Sequence, residues 1–215
     1  MHAVIINGSP RVQNHSNTNR ILRKFIDGFC EAGNTFELYS LSDTTTWDFA
    51  REAYEKNDNI IFALPLYDEC VPGLMMEFLE TLPSKNKDTK LSFILQSGFA
   101  EGLQLRCGEA YLKILTERLN CEYGGAIVKG DNFGIRFAEG EELDKLTEPY
   151  KEIGKIFGKE GDFFNSKCVS FTGPEILPWL LRVYIGIYFK TGAKKNFAHM
   201  AKSWGCEKPI EYKPW

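Results

Sequence analysis

The chain has no C-x-x-C pair, no excess of positive charge and no long apolar run, and each absence closes off a class of function. Its six cysteines, at 30, 70, 107, 121, 168 and 206, are scattered rather than grouped at metal or redox spacing. With 13% aromatic residues the chain can build a core without staples, so the cysteines read as reduced thiols. Lys and Arg number 26 against 29 Asp and Glu, a net charge of −3, and the basic footprint of a nucleic-acid binder is missing. The strongly acidic character of many small electron carriers is missing too. No run of ~18 apolar residues suits a membrane span. Met1-His2-Ala3 leads straight into a strand-like stretch, without the basic region or cleavage site of a signal peptide, so a cytoplasmic protein is expected.

Several site motifs are also absent. There is no G-x-x-x-x-G-K-[ST] phosphate loop and no G-x-G-x-x-G dinucleotide fingerprint. No cysteine has an arginine six residues on, which excludes a C-x5-R nucleophile loop. H-E-x-x-H does not occur, and His2, His15 and His199 stand far apart, so neither a metal site nor a hydrolase triad is expected.

What is present is an alternation of buried strands and amphipathic helices. With 215 residues, 43% of them hydrophobic, the chain can bury one sizeable α/β core. Ala3–Ile6, Ile60–Leu64, Leu91–Leu95 and Ala126–Val128 are short continuous apolar runs ended by turn residues, the pattern of strands covered on both faces. Phe36 and Leu38 alternate with Glu37 and Tyr39, as on a half-exposed edge strand. Between the strands lie helical periods over 16–33, 47–56, 74–82, 104–119 and 139–157. In the first, Ile21, Leu22, Phe25, Ile26, Phe29 and Cys30 mark the inward stripe, and Gly33 a stop. This alternation predicts a doubly wound α/β fold with five parallel strands in the flavodoxin-like order 2-1-3-4-5.

The alternation ends at residue 161. The chain then reads as a domain over 1–161 and an aromatic, mostly helical extension over 162–215, carrying Trp179, Trp204 and Trp215. The segment from Glu175 to Phe189 is apolar on nearly all sides, with Pro174 and Pro178 suited to a helix start. It must be covered by something: a subunit interface in a homo-oligomer, a cap on the core, or contact with a membrane surface.

In such sheets ligands bind beyond the carboxyl ends of the strands. Three loops leave those ends: Gly8–Thr18, Pro65–Gly73 and Ser97–Gln104. In the first, Gly8-Ser9-Pro10-Arg11 follows the strand at once and Ser16-Asn17-Thr18 opens the helix. A close backbone approach, hydroxyls at a helix N-terminus and a guanidinium together suit an anion. The same residues also suit an ordinary strand–helix turn with Ser16 as the cap.

Ile6-Asn7-Gly8-Ser9-Pro10-Arg11 followed by Ser16-Asn17-Thr18 resembles the phosphate loop of the NAD(P)H-dependent FMN reductase family. Pro65-Leu66-Tyr67 with Val71-Pro72-Gly73-Leu74 resembles its second signature, and Ser97-Gly98-Phe99 a third loop. The resemblance covers about residues 2–130 and implies a flavodoxin-like flavoprotein holding FMN. It implies that Ser9, Arg11, Ser16, Asn17 and Thr18 hold the phosphate. Pro65, Leu66 and Tyr67 would line the isoalloxazine, with Ser97, Gly98 and Phe99 on its other flank. The implied activity passes reducing equivalents from NAD(P)H to a small acceptor, such as a quinone, a nitroaromatic or a flavin. The alternatives are a one-electron carrier docking on a redox protein and a non-catalytic FMN-binding sensor. No catalytic acid or base is expected, because the flavin carries the chemistry. The sequence departs from the family at Asp68-Glu69-Cys70, where two acids beside the flavin would disfavour an anionic partner. Met75 and Met76 read as core filler and Cys70 as an inert loop thiol.

Overall fold

The computed structural model describes residues 1–12, 15–86 and 88–213, so Trp215 lies outside the described residues. The chain resolves into two compact units, Met1–Glu175 and Ile176–Trp215.

The first unit is built on five parallel strands: β1 (His2–Asn7), β2 (Thr35–Ser40), β3 (Asn59–Pro65), β4 (Lys90–Gln96) and β5 (Glu122–Lys129), in the order β2-β1-β3-β4-β5. The apolar runs become central strands because alternate side chains enter two separate cores. Val4, Ile6, Phe62, Leu64, Phe93 and Leu95 face α2 (Trp47–Lys56), α3 (Gly73–Glu80) and α4 (Arg106–Arg118). Ala3, Ile5, Ile61, Ala63, Ile94 and Ile127 face α1 (Asn17–Glu31) and α5 (Gly140–Glu160). Burying one such Ile or Phe fully contributes about 2 kcal/mol, so both faces are needed to offset chain entropy. β2 pairs with β1 alone and carries Phe36 and Leu38 exposed, as its alternating pattern predicts.

Helix α1 differs from its sequence reading at one position. Cys30 is exposed, and Gly28 completes the inward stripe instead. A Cβ on Gly28 would stand 1.9 Å from the Lys151 carbonyl oxygen, and one on Gly154 1.9 Å from that of Phe25. The two glycines therefore let α1 and α5 approach backbone to backbone. Gly33, with φ +83°, ends the turn after α1 in the left-handed conformation glycine allows.

The compact unit continues past residue 161. Phe163 packs on Phe157 with ring centroids 4.5 Å apart, Cys168 on α6 (Ser166–Ser170) is buried in the α1–α5 core, and burial pushes its thiol up to about 11. Residues 162–175, grouped with the tail by the loss of alternation, thus belong to the core-bearing unit. The unit closes where Gly102 N–H donates to the Pro174 carbonyl (3.0 Å) and Leu103 N–H to that of Glu175 (3.1 Å). Arg106 pairs with both Glu109 and Glu175, and its hydrogen bond holds the Glu175 carboxyl below the usual range.

The second unit is a helical hairpin of α7 (Trp179–Thr191) and α8 (Ala193–Ser203). Pro178 stands just before α7, where its missing N–H costs nothing. No described helix is long and apolar enough to cross a membrane.

Candidate functional site

The loops leaving the carboxyl ends of β1, β3, β4 and β5 meet around one cleft of about 390 Å³. Each loop is set by contacts that its own sequence makes possible.

At the root of the first, Asn7 is buried and its Oδ1 accepts from Ser9 N–H at 3.0 Å, while Ser9 Oγ accepts from Arg11 N–H at 3.3 Å. These two short-range bonds turn the chain away from β1. A Cβ on Gly8 would meet Met75 Sδ at 2.6 Å, so glycine lets the strand end lie against α3. Met75 is fully buried there, the core filler its sequence context predicts. Ser16 caps α1: its Oγ accepts from Asn19 N–H at 3.1 Å and its carbonyl from Arg20 N–H at 3.2 Å. The N–H groups of Asn17 and Thr18 precede the intrahelical ladder and remain as donors at the helix end.

The second loop is a tight turn. Tyr67 and Cys70 exchange two backbone hydrogen bonds of 3.0 Å, and Asp68 and Glu69 between them have φ of 47° and 69°. Two consecutive left-handed residues make this a hairpin-type turn, usually filled by Asn-Gly, and each non-glycine there costs about 1 kcal/mol. The surroundings hold it: Cys107 Sγ donates to the Glu69 carbonyl at 3.0 Å, and Leu66 fills the space beside Gly108, where a Cβ would come within 2.4 Å of it.

The third and fourth loops are zipped together. Ser97 N–H donates to Lys129 O (3.1 Å), Asp131 N–H to Phe99 O (2.7 Å) and Asn132 N–H to Ser97 O (3.0 Å). Asn132 is the hub. Its Nδ2 donates to Lys129 O (2.9 Å), its carbonyl accepts from Asn17 Nδ2 (2.9 Å) and its Oδ1 accepts from Tyr150 Oη (3.1 Å). Burial pushes the Tyr150 phenol well up, so it stays a neutral donor. Arg20 Nη1 donates to the Ile135 and Ala138 carbonyls at 2.7 and 3.0 Å, clamping the β5 loop onto α1.

Of the residues predicted from sequence, Ser9, Arg11 and Asn17 border the cleft from the first loop. Pro65, Leu66 and Tyr67 border it from the second, and Ser97, Gly98 and Phe99 from the third. Ser16 and Thr18 do not. The Ser16 hydroxyl is turned inward by its capping bond, and the buried Thr18 Oγ1 accepts from Gln96 Nε2 at 3.3 Å. Both brace the site rather than line it. Asp68 lines the cleft, whereas Glu69 does not. Gln96, Phe133 and Arg136 line it and escaped the sequence reading. The signal for Gln96 was a polar residue ending an apolar strand. For the other two it was the β5 loop itself, since every central strand end should contribute. Tyr67, Phe99 and Phe133 keep 45, 47 and 50% of their surface open, so the cleft presents bare aromatic faces.

The arrangement offers a helix N-terminus and the Arg11 guanidinium at one end and apolar walls at the other. No group of His, Cys, Asp or Glu among the described residues could hold a metal ion.

No protein-family model matches the chain, and no curated protein sequence does. Solved structures do. An FMN-dependent NADH-azoreductase from Bacillus anthracis superposes with a TM-score of 0.53 at 12% identity, over 73% of this chain and 99% of that one. The Trp repressor binding protein from Bacillus subtilis gives 0.52 at 14%, over 72% and 98%. An NADPH-quinone reductase from P. pentosaceus gives 0.50 at 17%, also over 72% and 98%. The fold is flavodoxin-like. At these identities the likeness speaks for the fold, and the strand order β2-β1-β3-β4-β5 says the same.

Proposed function

We propose that the cleft holds FMN and that the protein is an oxidoreductase passing reducing equivalents from NADH or NADPH to a small acceptor, a quinone, a nitroaromatic or a free flavin. One observation carries this reading: loops from four strand ends, three of them recognisable in sequence, converge on one cleft lined by Arg11 and Arg136 and by the exposed aromatic side chains Tyr67, Phe99 and Phe133. About 390 Å³ falls in the range of sites for cofactor-sized ligands.

In this reading Ser9, Arg11 and the N–H groups opening α1 hold the phosphate, which a helix N-terminus favours. Pro65, Leu66, Tyr67 and the strained Asp68 turn lie along one side of the ring system, with Ser97, Gly98, Phe99 and Phe133 along the other. When bound, the flavin supplies the electron-accepting chemistry that no side chain here can. The protein orients it, shields it and sets the local charge. Asp68 adds a negative charge at the rim and Arg136 a positive one, so a nucleotide donor's phosphates are best met from the arginine side. Six free thiols suit a reducing, cytoplasmic setting. Two of the structural neighbours, the FMN-dependent NADH-azoreductase and the NADPH-quinone reductase, are consistent with this reading through what their names say of them.

The experiment is anaerobic. FMN is titrated into the protein, and NADH or NADPH is then added while flavin absorbance is followed. Tight FMN binding, bleaching by one nucleotide and reoxidation by an added quinone are expected. Arg11→Ala should weaken FMN about tenfold, and less so at high salt. A protein that binds no FMN contradicts the proposal. One that binds FMN but is bleached by neither nucleotide is a carrier or a sensor.

A further inference from the structure

The second unit leaves a continuous apolar surface uncovered. Trp179, Leu180, Val183, Tyr184 and Ile187 recur at helical spacing on α7, within an arc of about 140° at 100° per residue. Each keeps between 49 and 68% of its surface open, and no residue of α7 is buried. The hairpin uses the other side of the helix: Phe189 stacks on Phe197 with centroids 6.2 Å apart, Asn196 Nδ2 donates to Tyr188 Oη at 2.8 Å, and Ala193 is buried at the bend. The open arc is therefore not spare packing surface within the unit. A contiguous exposed stripe of this size marks a docking face.

The charge of the same segment says what kind of surface it docks on. Residues 176–215 carry seven basic side chains and two acidic ones, a net +5, leaving −8 for residues 1–175 within the chain's total of −3. Among the described residues Lys194–Glu211, at 2.5 Å, is the single ion pair within the unit. Arg182 lies beside the apolar arc, Lys190 lies within it at the last turn of α7, and Lys195 and Lys202 stand on the polar side of α8. Two copies of the tail meeting face to face would set +5 against +5. An anionic lipid surface instead offers acyl chains to the arc and phosphates to the lysines, and Trp and Tyr favour that boundary. At 13 residues α7 is about 20 Å long, too short for a ~30 Å hydrocarbon core, so the segment lies on the bilayer rather than through it.

We propose that residues 176–213 dock the protein on an anionic lipid bilayer, with the Trp179–Ile187 arc in the headgroup–acyl boundary and the basic side chains on lipid phosphates.

The full-length protein is mixed with vesicles of phosphatidylcholine, or of phosphatidylcholine with phosphatidylglycerol, and co-sedimentation and tryptophan emission are measured. Binding to the anionic vesicles should exceed binding to the neutral ones at least tenfold, with a blue shift, and weaken as salt is raised. Leu180→Asp with Ile187→Asp should abolish binding, and Lys195→Glu with Lys202→Glu should weaken it at least fivefold. Both double variants should keep the wild-type far-ultraviolet circular dichroism. Equal binding to both vesicle types, or none, overturns the proposal. So does a wild type that sediments as an oligomer and keeps its tryptophan emission unchanged with vesicles, because a second copy then covers the arc.

Discussion

The two units spend their apolar residues in opposite ways. In residues 1–175 the apolar positions of β1, β3 and β4 vanish into two cores, one on each face of the sheet, and net charge is −8. In residues 176–215 the largely apolar helix α7 buries none of its residues, and net charge is +5. The difference teaches that apolar content alone does not report a core. What reports one is an apolar stripe with a partner stripe at matching spacing, as α1 has in α5. In the first unit each residue answers to its neighbours, and in the second to something outside the unit.

The sharpest way to break the comparison is at the α1–α5 contact. Gly28→Ala places a methyl 1.9 Å from the Lys151 carbonyl oxygen, which only separation of the two helices can relieve. It should cost about 3 kcal/mol, read as a lower urea midpoint at unchanged slope. Next in size is Ser16→Ala. The hydroxyl caps α1 and does not line the cleft, so the loss should be about 1 kcal/mol of stability with a smaller change in FMN affinity than Arg11→Ala produces. Equal losses of affinity in the two variants would return Ser16 to the binding surface.

A smaller effect is tied to pH. Glu31 on α1 bonds Lys151 and Lys155 on α5 at 2.5 and 2.8 Å, and these bonds hold its carboxyl below the ordinary glutamate value. A carboxyl with a depressed folded-state pKa contributes stability that is present above its unfolded value and lost as pH falls through the folded one. Glu31→Gln should therefore lower stability slightly at neutral pH and leave it equal to wild type in acid, measured as urea midpoints across that range. The smallest effect belongs to the tail. Ile187→Ala should leave stability within about 0.5 kcal/mol of wild type, since the side chain is 57% exposed. A loss near 2 kcal/mol would mean that the arc is already packed in the free protein.

The sequence by itself determined the element order, the edge position of β2, the parallel sheet and three of the four loops that border the cleft. Periods of two and 3.6 and the turn residues that end them lie in contiguous stretches, and those local patterns decide strand, helix and loop before any packing. Ser9, Arg11, Tyr67 and Phe99 were legible as cleft-bordering positions for that reason: each lies within four residues of a strand end. Only the tertiary structure decided that the Ser16 and Thr18 hydroxyls turn inward, that Gly28 replaces Cys30 on the packed stripe, and that Phe133 and Arg136 join the site. It also decided that Asn132 ties α1, α5 and two loops together, through bonds spanning 115 residues to Asn17 and 18 to Tyr150. The physical reason is common to all of these. A hydroxyl, a glycine or an amide takes its role from whichever buried donor or backbone lies opposite it, and that neighbour is chosen by packing across the sheet.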